Sequence, residues 1–165
     1  MSLFHRAFED KEKYFYCKSW FWAKKRPTDL LNKTQAKQAH DKKQKYTVLV
    51  NDTEQPYAVI EIANDFVGVG FLDDMLRNNL SYQFEEVEKE KLFLSMVTSR
   101  EFDGDKDQVT LGTSYIFSQD GGLNIRKQFF NPHNLQESRS STDVSKNYES
   151  YPKFGEYAHL LKVER

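Results

Sequence analysis

The stretch YAVIEIANDFVGVGFL (residues 57–72) decides the fold class. Two runs of β-branched and aromatic residues flank the turn-forming pair Asn64 and Asp65. Such residues favour strands, and a short polar turn between two strands predicts an antiparallel hairpin. Gly68 and Gly70 fall on one face of the second strand. Their missing side chains leave room there for a large group, such as a helix or a ligand, to lie across the sheet.

Period-two alternation of apolar and polar residues continues on both sides of this hairpin. It predicts further strands at residues 14–23, 45–52, 79–87, 92–102, 111–118 and 123–130. Polar turns of a few residues separate most of them, and the Asp-Gly pair at 120–121 is a strong hairpin signal. Successive strands joined by short turns most economically form an antiparallel meander.

Helical patterns are few. Pro27 and Thr28 offer capping chemistry for a helix over 28–44, and short helical stretches are predicted at 2–11 and within 151–163. The Ser-rich segment 133–146 is predicted to be a surface loop. The chain is therefore predicted to form one α+β, mainly β domain over residues 1–165. Its centre is a single curved antiparallel meander sheet, open or curled into a half-barrel, with one or two short helices packed on it.

The aromatic segment 14–23 has three possible roles: a core strand, a nucleic-acid platform or a partner-facing patch. Alternation places on one face Tyr14, Tyr16, Trp20 and Trp22, and on the other Phe15, Cys17, Phe21 and Ala23. A platform for single strands needs cations beside its rings, but here the cations cluster at the two ends. We interpret the segment as a core strand covered on both faces and expect no direct nucleic-acid binding. An exposed Trp20 or Trp22 would be the first candidate for a partner anchor.

Charge is distributed unevenly along the chain. Residues 52–107 carry 14 acidic and 5 basic side chains, a balance of −9, whereas the whole chain has a net charge of −1. The candidate binding carboxylates are Asp73, Asp74, Glu85, Glu86, Glu101, Asp103, Asp105 and Asp107. Because alternate turns of a meander lie at the same edge, the turns near 73–78 and 103–107 are predicted to share a rim. Such a rim is either a solvated surface or a docking site for a basic partner.

No set of residues indicates catalysis, a metal or a cofactor. The only cysteine, Cys17, is interpreted as a small core residue, and the four histidines have no metal-ligand spacing. The loop at 103–108 has Gln108 where a calcium loop needs glycine. We therefore expect a binding protein rather than an enzyme. Because neither a secretory signal nor an apolar run of membrane-spanning length is found, we expect a cytoplasmic protein without membrane contact.

Three stretches in the order PYAVIEIANDFVGVGFLDD (56–74), LSYQFEEVEKEKLFLSMVTSREFDGDKD (80–107) and GTSYIFSQDGGLNIRK (112–127) resemble immunity proteins encoded beside bacterial polymorphic toxins. These include the contact-dependent growth inhibition systems. The resemblance spans residues 56–130 and carries over no functional residue. It implies a cytoplasmic antidote that binds one cognate toxin domain, often a nuclease, and blocks its active site or a required surface. The basic N-terminal third could face a nucleic acid held by the toxin, a third protein in such a complex, or solvent.

Two other functions remain open at this point. A small apolar ligand could be carried in the mouth of a barrel-like sheet, as Gly68 and Gly70 suggest. An RNA-binding module could use the aromatic and basic residues of the N-terminal region, in which case binding would weaken steeply with salt.

Overall fold

The structure, a computed structural model, describes residues 12–163. It contains eleven strands: β1 (Tyr14–Phe21), β2 (Arg26–Leu31), β3 (Tyr46–Val50), β4 (Ala58–Ile62), β5 (Phe66–Leu72), β6 (Asn78–Glu88), β7 (Lys91–Phe102), β8 (Val109–Phe117), β9 (Gly122–Phe129), β10 (Asn134–Ser141) and β11 (Tyr148–Ser150). One α-helix, α1 (Lys33–Asp41), and two 3-10 turns, Ser145–Asn147 and Ala158–Leu160, complete the described part. Strands make up 54% of the described residues, which places the structure in the mainly β class.

All strands belong to one open antiparallel sheet, in the order β10-β9-β8-β7-β6-β5-β4-β3-β1-β2. From β3 to β10 each strand pairs with the next in the chain, so the predicted meander is confirmed. β11 lies off this path and pairs with Lys91–Phe93 at the beginning of β7. The short turns allow no crossover, and for this reason the chain order fixes the sheet order.

The predicted helix over 28–44 is wrong in its first third. Residues 26–31 form β2, and a hydrogen bond between Ser19 and Thr28 (2.7 Å) joins this strand to β1. The helix begins one turn later because Asn32 caps it: its side chain accepts from the Gln35 N–H at 2.8 Å, and the Gln35 side chain accepts from the Asn32 N–H at 2.9 Å. The capping box at Asn32, and not the predicted cap at Pro27 and Thr28, therefore determines where the helix begins.

The predicted loop over 133–146 is also wrong, because residues 134–141 form β10. All eight residues are exposed and pair with β9 in unbroken register. A strand with no buried face has no hydrophobic alternation, and polar composition therefore hid it. The helix predicted at 2–11 lies outside the described residues.

One face of the central strands, the inner face, is sealed by α1 and by the C-terminal segment. Alternate residues of β3, β4 and β5 point into this core, and the fully or almost fully buried ones include Val48, Val50, Ile60, Val67 and Val69. The helix contributes Ala36, and the C-terminal segment contributes Tyr157, Leu160 and Leu161. The predicted helical turn after Gly155 is confirmed and closes this core.

A chain of hydrogen bonds crosses the inner core. Nδ1 of His40 lies 2.8 Å from the Tyr46 hydroxyl, which lies 3.0 Å from the Tyr157 hydroxyl. Both tyrosines are completely buried, and burial raises the pKa of each well above its usual value. Because buried hydroxyls are costly without partners, this chain fixes α1 and the C-terminal segment to the sheet in one arrangement.

The opposite face, the outer face, carries a smaller buried cluster of Cys17, Trp20, Leu49, Val59 and Leu72. Trp20 was predicted to share a face with Tyr16, but it packs with Cys17 instead. The reason is that β1 pairs with β3 only as far as Cys17; beyond that point β1 pairs with β2 alone. The free end of the β1–β2 hairpin bends over the outer face, and Trp20 therefore packs on that face.

Candidate functional site

The bend of the β1–β2 hairpin places Trp22 across the outer face of β5. A Cβ atom added to Gly70 would lie only 2.8 Å from Cη2 of Trp22, so the ring rests directly on the glycine backbone. Gly68 is covered in the same way by the ring of Phe66, whose Cε1 would lie 3.1 Å from such an atom. The expectation that the two glycines accommodate a large group is confirmed, and one such group is an indole of the same chain.

The two tryptophans differ sharply in exposure. Trp20 is 5% exposed, whereas Trp22 is 46% exposed, and their rings meet edge to face with centroids 6.5 Å apart. The prediction of a strand covered on both faces is therefore correct for Tyr16, Cys17 and Trp20. It is wrong for the exposed residues Phe15, Phe21, Trp22 and Ala23, of which the last two lie beyond the end of β1. Trp22 thus meets the stated condition for a partner anchor, and Trp20 does not.

A cavity of about 310 Å³ opens beside these rings. Its walls combine both tryptophans with polar side chains, among them Lys45, Glu61, Asn78, Ser81 and Gln83. Lys45 Nζ and Glu61 Oε1 form an ion pair at 3.1 Å. The indole Nε1–H of Trp20 is the one buried side-chain polar atom of residues 12–163 with no hydrogen-bond partner. We call this cavity the tryptophan cleft.

Three turns meet at the end of the sheet next to Trp22: residues 22–25, 73–77 and 103–108. Together with Glu101, near the end of β7, they form the rim. Nζ of Lys25 donates to the Met75 carbonyl at 3.0 Å and to Asp107 Oδ1 at 2.7 Å. Nη1 of Arg77 donates to the carbonyls of Gly104 and Lys106 at 2.7 and 2.9 Å. The structure therefore confirms that the turns near 73–78 and 103–107 lie side by side, and it adds the basic hairpin tip to them.

Half of the rim carboxylates are engaged within the chain. Asp73 pairs with Arg77 at 2.8 Å, Asp107 with Lys25 at 2.7 Å and Asp103 with Lys106 at 3.5 Å. Burial alone would raise the pKa of Asp73, but hydrogen bonds from Arg77 and Met75 outweigh it and hold this pKa below its usual value. Asp107 therefore joins two turns, whereas Asp73 and Asp103 each stabilise the turn in which they lie.

The other rim carboxylates, Asp74, Glu101 and Asp105, are exposed and form no ion pair within residues 12–163. Of the predicted residues, the rim thus brings together Trp22 and six carboxylates. Glu85 and Glu86 lie near the other end of β6, where Glu86 accepts a hydrogen bond from the Glu90 N–H at 3.2 Å.

The sequence did not single out two apolar residues of this region. Phe21 is 43% exposed at the end of β1, and Met75 is 39% exposed in the turn that Lys25 contacts. With Trp22 they form the corner patch. Its sequence signal is the occurrence of large apolar side chains at strand ends and turns, where polar residues are usual.

The described part of the chain offers little for chemistry. Within residues 12–163 no group of three or more His, Cys, Asp and Glu side chains is placed to hold a metal ion. Burial raises the pKa of the Cys17 thiol to about 12, so it is protonated at neutral pH. Among these residues, no helix has the length and apolar character needed to cross a membrane.

The fold and site define an open antiparallel meander whose first hairpin bends over one face and presents a tryptophan beside an acidic rim. Comparison with family models, curated proteins and solved structures finds no match to this chain.

Proposed function

We propose that this protein is a cytoplasmic immunity protein that binds and neutralises a cognate bacterial toxin domain, of nuclease type, by covering its active site or a required surface. The observation that carries the proposal is the position of Trp22. Its ring is supported from below by Gly70, remains half exposed and stands beside carboxylates that form no ion pair within residues 12–163. Tryptophan is one of the residues most enriched in binding hot spots, and charges near such an anchor favour association with an oppositely charged partner.

The charges of the rim suit a basic partner. Two cations of the rim, Lys25 and Arg77, are already neutralised by Asp107 and Asp73. The free carboxylates Asp74, Glu101 and Asp105 are left to attract cations. Nucleases present basic surfaces to their substrates, and complementary charges speed association with such surfaces. The basic N-terminal third is left to contact a third protein in the complex.

The test uses the C-terminal domain of the protein encoded immediately upstream, expressed in cells with and without this chain. We expect protection of the cells and a complex measurable by calorimetry at micromolar concentration. Trp22→Ala should accelerate dissociation by about tenfold or more, because a buried anchor contributes mainly to the lifetime of the complex. Replacing Asp74, Glu101 and Asp105 by Lys should slow association, and this effect should fade at high salt.

The matched control replaces by Lys three exposed carboxylates at the opposite end of β5 and β6, Asp65, Glu88 and Glu90, and so makes the same change of net charge. It should leave association unchanged. A complex that forms equally fast with the triple Lys variant of the rim, or equally long-lived with Trp22→Ala, would show that the toxin binds elsewhere. Absence of any complex would end the proposal for that pair.

A small-ligand carrier is a second candidate, because the tryptophan cleft has a volume of about 310 Å³. The sheet is open, so the ligand would lie under the β1–β2 hairpin and not in a barrel mouth. The fluorescent probe 1-anilinonaphthalene-8-sulfonate tests for an apolar site. Carriage of an apolar ligand requires a gain of probe emission that Trp22→Ala reduces, and no gain with the native protein would exclude it.

A further inference from the structure

The strand β10 is an open edge of the sheet. Its eight residues are exposed and pair with β9 from Asn134–Phe129 to Ser141–Gly122 without a bulge. It contains neither proline nor lysine. Edge strands of soluble proteins are usually protected by proline, bulges, charged side chains (lysine above all) or short length, because their free N–H and C=O groups can pair with another strand. The two charged residues of β10, Glu137 and Arg139, have opposite signs and so do not repel a second copy of the same strand.

The strand at the other end of the sheet, β2, is protected in this way. Pro27 has no N–H to offer, and Asp29 has a left-handed backbone with φ of 46°, which interrupts the extended edge. The edge of the sheet at β2 is therefore protected, whereas the edge at β10 can pair with another strand.

The hydrogen bonds to β9 determine which backbone groups of β10 are free. The Thr142 N–H donates to the Gly121 carbonyl at 2.9 Å, in register with the β9–β10 ladder. Because bonded and non-bonded positions alternate in an antiparallel pair, even-numbered residues of β10 face β9. The odd-numbered residues Leu135, Glu137, Arg139 and Ser141 direct their N–H and C=O groups outward.

We propose that β10 pairs with β10 of a second copy of this chain, antiparallel about a two-fold axis at Ser138. A two-fold interface makes each residue contact its counterpart reciprocally. In this register Glu137 lies opposite Arg139 of the partner subunit, and Arg139 lies opposite Glu137 of the partner subunit. The two neighbouring registers with matching hydrogen bonds place Glu137 opposite itself or Arg139 opposite itself. Charge therefore selects the central register.

The single chain leaves one of these charges unmatched. Arg126 pairs with Glu137 across β9 and β10 at 3.5 Å, whereas Arg139 has no carboxylate within ion-pair distance among residues 12–163. In the dimer, Glu137 stands between Arg126 and Arg139 of the partner subunit. The second copy thus supplies the missing partner of Arg139.

The contact is narrow, since it consists of one strand edge with about eight backbone hydrogen bonds. Interfaces of this size are weak and reversible, and we expect the dimer to appear between about 10 µM and about 1 mM. This inference does not depend on the proposed function, because β10 lies at the end of the sheet order away from the β1–β2 hairpin.

The test is sedimentation velocity of the full chain over this concentration range. The mean mass should rise from the monomer value of 19.5 kDa towards twice that value. Arg139→Glu places like charges opposite each other twice and should raise the dissociation constant about tenfold or more. The double variant Glu137→Arg with Arg139→Glu restores opposite charges and should recover dimerisation to within about fivefold.

The matched control is Lys153→Glu, an exposed residue of the C-terminal segment that receives the same change of charge; it should dimerise like the native chain. Circular dichroism verifies that each variant is folded. A native chain that stays monomeric at about 1 mM would overturn the proposal. A dimer insensitive to Arg139→Glu, or a folded double variant that remains monomeric, would overturn it equally.

Discussion

The two faces of the central strands are built from alternate residues of the same short sequences, yet they are used in opposite ways. On the inner face, Val48, Val50 and Ile60 are completely enclosed by α1 and the C-terminal segment. On the outer face, the cover is one bent hairpin, and a cleft remains open beside Trp22. Alternation along a strand thus gives one face a sealed core and leaves the other face partly open.

Polar groups show the same difference. The inner face satisfies its buried hydroxyls internally, through His40, Tyr46 and Tyr157. The outer face leaves the indole N–H of Trp20 without a partner. We expect substitutions in the inner core, where the buried hydroxyls are hydrogen-bonded, to be strongly destabilising. The outer face still has an unpaired hydrogen-bond donor and is open to contacts from outside the chain.

The largest effect should follow from Tyr157→Ala on the inner face. It removes a fully buried ring and the hydrogen bond to Tyr46, which should lower the free energy of unfolding by about 3–5 kcal/mol. Tyr157→Phe removes only the hydroxyl and should cost about 1 kcal/mol. Urea unfolding measures both. Trp22→Ala on the outer face is the counterpart and should cost less than about 1 kcal/mol. Equal losses at the two positions would contradict the distinction between the faces.

The sequence predicted the inner face well and the outer face poorly. The sequence identified β3 to β9 from their β-branched and aromatic residues and the polar turns between them. Burial itself differs widely among these strands, since β3 is buried at every position and no residue of β9 is buried. Alternation placed Trp20 on the wrong face because a strand that changes partners can bend, and pairing partners are not encoded in local period. Asp73 and Asp107 were predicted to bind a partner, but they also stabilise the turns of the rim, which only the positions of Arg77 and Lys25 reveal.

A smaller effect is expected from Gly70→Ala, which tests the support of Trp22. The added methyl would approach the indole to about 2.8 Å, so the half-exposed ring must move away rather than the buried strand. We expect Trp fluorescence to shift to longer wavelength and acrylamide quenching to rise, with a loss of about 1 kcal/mol or less. Gly112→Ala in β8 is the control, since a Cβ there has no heavy atom within 4 Å. Unchanged fluorescence in Gly70→Ala would show that the ring does not rest on this glycine.

The smallest effect concerns pH and the inner face. Burial lowers the pKa of His40, Lys37 lowers it further and Asp41 opposes both. Because the folded pKa lies below the unfolded value of about 6.5, the unfolded chain takes up this proton first as the pH falls. The free energy of unfolding should therefore decrease between about pH 7 and about pH 5. His40→Gln can keep a hydrogen bond to Tyr46 but does not titrate, so it should flatten this dependence. If the free energy of unfolding has the same pH dependence in the variant, His40 takes up its proton equally well in the folded and the unfolded chain. The inner face would then be less sealed than its hydrogen bonds indicate.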